Sequence, residues 1–139
     1  MPAKRGTREK NAKGIYVGAP ACFELELACR ELMEAFDYKE GICGCYLVGS
    51  ALERPDWRDI DIRFIVDDVS FGKLFPNAGL TSNWEHDARW LVMTTSISDW
   101  LSKRTNLPID FQFQAMTYAN ARFKGRPRNA LGIHYNRNT

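Results

Sequence analysis

Three aspartates and one Gly-Ser pair are the residues of this 139-residue chain whose type and spacing point to chemistry. Gly49-Ser50 closes an apolar run, Asp59-Ile60-Asp61 opens the next after the loop 51–58, and Asp110 follows Pro108-Ile109 far downstream. In a strand, alternate residues share a face, so Asp59 and Asp61 lie on one side about 7 Å apart. If the segment around Asp110 runs beside them, three carboxylates converge. Such a set cannot all ionise in a dry site without a cation. Mg²⁺ resolves the conflict, because it takes carboxylate oxygens and completes its shell with water and substrate phosphates. Gly49 permits close backbone approach, and the Ser50 hydroxyl with the N–H groups after it can hold phosphate oxygens.

Taken in order, Leu47-Val48-Gly49-Ser50, Asp59-Ile60-Asp61-Ile62 and Pro108-Ile109-Asp110-Phe111 resemble the signature of the nucleotidyltransferase superfamily typified by DNA polymerase β. The resemblance spans roughly residues 22–114. It implies an α+β fold, a small mixed β-sheet backed by helices, and two Mg²⁺ ions, with Mn²⁺ the alternative. It also implies transfer of a nucleoside monophosphate from an NTP (ATP among the candidates) to a hydroxyl acceptor, with release of pyrophosphate. The acceptor classes are RNA, a protein side chain or a small molecule. On this resemblance Asp59 and Asp61 hold both ions, Asp110 binds the ion that activates the acceptor, and Gly49 and Ser50 grip the triphosphate. Arg54, Arg58 and Arg63 stand near enough in sequence to neutralise phosphate, although Arg63 shares the carboxylate face and is placed to pair with an aspartate. Trp57 has two readings, stacking on a base or packing. The chain departs from the family in Arg58, where many members carry a small residue, and in the 29 residues after Asp110, too few for a second helical domain. Base selectivity and acceptor then fall to a partner subunit, a homo-oligomer or the basic tail. The competing expectation is a catalytically inactive module of the same fold that binds nucleic acid or a protein through its basic ends.

The elements that must position these residues follow from pattern. Leu25, Ala28, Cys29, Leu32, Met33 and Phe36 recur at helical spacing over 22–36, with Pro20 in the first turn and Glu24, Glu26, Glu31 and Glu34 on exposed positions. Residues 42–48 form a buried strand, and Ala51-Leu52-Glu53-Arg54 a brief helical turn. A second strand spans 59–66, with Ile60, Ile62 and Phe64 facing away from the acids. Residues 67–83 read as irregular, punctuated by Gly72, Pro76, Asn77 and Gly79. A long helix is expected over 83–103, burying Ala88, Leu91, Val92 and Thr95, then Ile97, Trp100 and Leu101, and ending at Asn106 and Pro108. A third strand over 109–114 puts Asp110, Gln112 and Gln114 on one face. From Arg122 the chain reads as loop, with a short strand near Ile133-His134-Tyr135.

The net charge of +2 hides an uneven distribution. Residues 1–18, read as a flexible basic arm, carry +4; residues 19–121, the nucleotidyltransferase-like domain, hold nine basic and sixteen acidic residues, −7; residues 122–139, a basic C-terminal tail, carry +5. Such ends suit phosphate-bearing partners or plain solvation. Cys22, Cys29, Cys43 and Cys45 sit in apolar segments without CxxC spacing, so they read as packing residues of a cytoplasmic protein. No apolar run is long enough to cross a bilayer and the N-terminus is too polar for a secretory signal, so no membrane partner is expected.

Overall fold

The computed structural model describes residues 9–11, 14–36 and 44–132. It is an α+β fold with the element order α1 (Ala21–Ala35), β1 (Cys45–Val48), β2 (Ile60–Val66), α2 (Asp68–Leu74), α3 (Ala88–Thr105), β3 (Ile109–Ala115), α4 (Met116–Arg122) and β4 (Asn129–Ala130), with single 3-10 turns at Gly49–Leu52 and Trp84–His86. The sheet runs β3-β2-β1-β4. β1 pairs antiparallel with β2 and β4, and β2 pairs parallel with β3, so the sheet is mixed. A parallel pair needs a crossover, and α2 and α3 fill the one between β2 and β3.

Period-2 alternation divides the sheet into two faces. On one face Leu47, Ile60, Ile62, Phe64, Ile109, Phe111 and Phe113 are buried in the main core. Phe64 and Phe113, partners in the parallel register, stack at 5.3 Å, and Phe36 and Phe75 each meet Phe113 at 5.2 Å. Burying such side chains contributes roughly 1.5–3 kcal/mol each, which fixes the register of the strands. The other face carries Asp61, Arg63, Gln112 and Gln114, and α4 closes its end through Val48, Ile65, Ala119 and Phe123.

α1 buries Leu25, Ala28, Cys29, Leu32 and Met33 as its spacing predicts, with Pro20 at the N-cap. Glu26 departs from expectation: it is buried and accepts a hydrogen bond from the Gly132 N–H, which ties the chain after β4 to the helix. Across the surface Arg104 makes a bidentate ion pair with Glu31 at 2.7 Å and reaches Glu24 at 3.4 Å. The guanidinium holds the Glu31 carboxyl below its ordinary range.

The expected helix over 83–103 divides at Asp87, whose carboxylate accepts from the Trp90 N–H and so caps α3. Its buried stripe is also rotated from the expected one. Trp90, Thr94, Leu101 and Thr105 face the core with Met93 and Ile97 beside them, while Ala88, Leu91, Val92 and Thr95 are exposed. The indole N–H of Trp90 donates to the Phe113 carbonyl, which sets that rotation. Asn106 ends the helix in the left-handed region at φ 57°. Residues 67–83, read as irregular, contain α2, capped by Asp67 through the Ser70 N–H.

Ile15 and Val17 are buried in the core and the Tyr16 N–H donates to Ala51, so the packed body begins ahead of residue 19. Cys22, Cys29 and Cys45 are buried; burial, with Cys29 alongside, pushes the Cys45 thiol well above its ordinary value, as suits a packing role. Ile42, Cys43, His134 and the expected strand at 133–135 lie outside the described residues. No helix among the described residues is long and apolar enough to cross a membrane.

Candidate functional site

β1 delivers the chain to the Gly49-Ser50 turn. Val48 pairs with Asp61 across the antiparallel register, and Gly49 then turns at φ +81°, a conformation that L side chains rarely adopt. A Cβ built on Gly49 would stand 2.5 Å from the Asp61 Oδ2. The missing side chain is thus where the Asp61 carboxylate sits, and both φ and space demand glycine.

β3 lies beside β2 with Asp110 as the register partner of Asp61. Arg63 reaches over the pair. Its Nη2 is 3.5 Å from the Asp110 Oδ2 and 4.0 Å from the Asp61 Oδ1, and its Nη1 donates to the carbonyls of Asp110 and Ile62. Burial pushes the Asp61 carboxyl above its ordinary value, Arg63 opposes that, and Asp110 and Asp59 add to it as like charges. Asp59 precedes β2 at an exposed position.

Two hollows meet at Ser50, Arg54 and Asp61. The larger, about 460 Å³, runs along the polar face of the sheet to α4. The smaller, about 370 Å³, holds Asp59, Asp56 and Arg58. Arg54 is ion-paired to Asp56 at 3.1 Å. The Asp110 side chain is half exposed beside Arg63 and lines neither hollow. The structure therefore brings Gly49, Ser50, Arg54, Asp59 and Asp61 to one opening, with Arg58 at its outer end and Asp110 one strand away.

The three aspartates offer only hard carboxylate oxygens, the donors that Mg²⁺ prefers, and the mutual repulsion felt by Asp61 is what a cation relieves. In donor chemistry they fit the ion. Among the described residues, however, no group of three or more His, Cys, Asp or Glu is gathered closely enough to hold a metal. Arg63 supplies the local counter-charge instead.

The far wall of the cleft adds residues that the sequence reading did not place in a site, Gln112, Gln114, Trp84 and Tyr118, to two arginines of the expected basic tail. Gln112 and Gln114 line it from β3, Trp84 from the 3-10 turn, and Tyr118 and Arg122 from α4, with Arg126 just beyond. The alternation Asp110-Gln112-Gln114 was the available signal for the glutamines, and the basic run after Ala121 the signal for the arginines. Trp84 and Tyr118 meet edge to face at 4.9 Å. Trp57 takes the packing reading: it is buried and its indole N–H donates to the Tyr16 carbonyl at 2.7 Å. His86 is exposed in the 3-10 turn.

No protein-family model matches this chain, and no curated protein or solved structure matches it.

Proposed function

We propose that the cleft binds a nucleoside triphosphate with Mg²⁺ and transfers its nucleoside monophosphate to a hydroxyl acceptor. The observation that carries this reading is the Asp61 carboxylate packed against the Gly49 turn, with Asp110 as its parallel neighbour. A Gly-Ser turn with the strand-borne Asp61 at one opening, and Asp110 on the adjacent strand, suits a phosphate and a divalent ion together. When bound, the metal would activate the attacking hydroxyl and stabilise the leaving pyrophosphate. Asp61 at the Gly49 turn is the residue placed to hold it, and Asp110 and Asp59, which stand apart from Asp61 in this structure, would have to move in to join it. Arg54, Arg122 and Arg126 line the same cleft and concentrate an anionic substrate there. The basic residues from Arg122 onward favour an acceptor that itself carries phosphate, nucleic acid before an uncharged small molecule.

The test incubates the protein with each α-labelled NTP, Mg²⁺ and candidate acceptors. Transfer of label that is lost in Asp61→Asn supports the reading; label incorporated equally well by Asp59→Ala/Asp61→Ala refutes the site. The second reading, an inactive module acting through its basic ends, is favoured by the Arg63 ion pairs, which offset part of the charge of the two carboxylates without a metal. It predicts nucleic-acid binding that is unchanged in Asp61→Asn and insensitive to Mg²⁺.

A further inference from the structure

Gln114 is 3% exposed, yet its carbonyl Oε1 has no hydrogen-bond partner among the described residues. Its amide Nε2 donates to the Gln112 Oε1 at 3.2 Å, so the oxygen is the end left for another group. The side chain belongs to the floor of the larger cleft. The Trp84 indole nitrogen, in the same cleft wall, is likewise buried without a partner. With the Arg63 Nε, also buried without a partner among the described residues, one cleft holds three unmet groups, one acceptor and two donors, beside the aromatic rings of Trp84 and Tyr118; each costs about 1–3 kcal/mol while unmade. The terminal torsion of a glutamine is soft, and a modest turn carries Oε1 from the floor into the cleft.

Position narrows the ligand. Gln114 pairs with Ile65, four residues beyond Asp61 in β2, so it stands about 13 Å along the strands from the carboxylate at the Gly49 turn. That is the reach of a nucleoside from its 5′-phosphate to the far edge of its base. We infer that this end of the cleft is a nucleobase subsite, in which the Gln114 carbonyl accepts a hydrogen bond from an exocyclic amino group and Trp84 donates to a neighbouring ring or carbonyl acceptor. The inference rests on the reading of the cleft as a nucleoside triphosphate site and deepens it by naming the base class. Adenine, cytosine and guanine carry the amino group; hypoxanthine and uracil present an oxygen where adenine and cytosine carry theirs, and two acceptors then face each other.

The experiment measures binding of ATP, ITP, CTP and UTP, and of inorganic tripolyphosphate, to the full chain with Mg²⁺, by calorimetry. In the wild type the amino-bearing member of at least one pair, ATP over ITP or CTP over UTP, binds tenfold or more tightly. In Gln114→Leu and Gln114→Asn that preference falls to within twofold, while tripolyphosphate, which has no base, binds as before and so reports an intact fold. Equal binding within both pairs by the wild type overturns the base subsite and leaves the nucleotidyl-transfer reading standing. A preference that survives both variants overturns the role of Gln114. Failure of every triphosphate, tripolyphosphate included, overturns the subsite and the reading beneath it together.

Discussion

Replacing Gly49 by alanine tests the closest contact in the site. Two separable costs follow from the geometry. The backbone at φ +81° puts a Cβ against the following carbonyl, a cost of about 1–2 kcal/mol. The new methyl would also stand 2.5 Å from the Asp61 Oδ2, so the carboxylate must leave its rotamer, costing about 0.5–1.5 kcal/mol more. The expected loss for Gly49→Ala is their total, about 1.5–3.5 kcal/mol, read as a fall in the urea midpoint of roughly 1 M. In an Asp61→Ala background the second cost disappears, so the same glycine substitution should cost only about 1–2 kcal/mol. The double-mutant cycle isolates the contact as a coupling of about 0.5–1.5 kcal/mol. Tripolyphosphate binding in Mg²⁺ should weaken in Gly49→Ala, because the displaced carboxylate no longer faces the turn. Equal destabilisation by Gly49→Ala in both backgrounds would refute the close packing of turn and carboxylate, and with it the principal support for a phosphate site here.

Two further predictions concern stability. Because the Asp61 carboxyl is raised, the folded state favours its neutral form; that stability is full below the ordinary aspartate value of about 3.9 and is lost as pH climbs through the raised value. Asp61→Asn should therefore be more stable than wild type at neutral pH without divalent ions, with the gap closing under acid in urea titrations at pH 7 and pH 3.5; a variant less stable than wild type at pH 7 contradicts this. Trp57→Phe removes the 2.7 Å bond to Tyr16 and should cost about 1–3 kcal/mol in denaturant melts, while ATP affinity stays within twofold. Lost affinity at unchanged stability would restore the stacking role.

Much of this arrangement was legible because its determinants are local or periodic. The alternation, strict over 59–64 and 109–114, places each strand, and a one-residue slip in either would bury its acids, so the polar face could be read without knowing the partner. The parallel pairing that sets Asp61 beside Asp110 was a conditional inference, since nothing within either segment names its neighbour. α2 was missed because Gly72 interrupts a seven-residue stretch too short to show a period, although Asp67 followed by Ser70 was a usable capping signal. The face of α3 was misjudged for a different reason. Leu91 and Val92 are the most apolar residues of its first turns, but the Trp90 indole has a carbonyl to reach on β3, and that tertiary bond outweighs aliphatic patterning.

The far wall of the cleft was illegible for a further reason: it is assembled from three elements distant in sequence, and only β3 carries an amphipathic pattern of its own. α4 has one buried residue, Ala119, and no side-chain cap. What holds it is the apolar end of the otherwise polar sheet face, Val48 and Ile65 against Ala119 and Phe123. That patch has a consequence for charge. By anchoring Phe123 it keeps Arg122 and Arg126 in the cleft wall with Arg54, Asp61 and Arg63. The acidic body and the basic C-terminal stretch are therefore not separate surfaces; they meet across one opening. An anion entering it finds guanidinium groups on both sides and a carboxylate at the Gly49 turn, and the carboxylate tolerates that anion only when a cation accompanies it. The proposed reading therefore expects tripolyphosphate to bind the wild type more tightly with Mg²⁺ than in EDTA, before any catalytic role is assigned to Asp59 or Asp110, and equal binding in the two would contradict it.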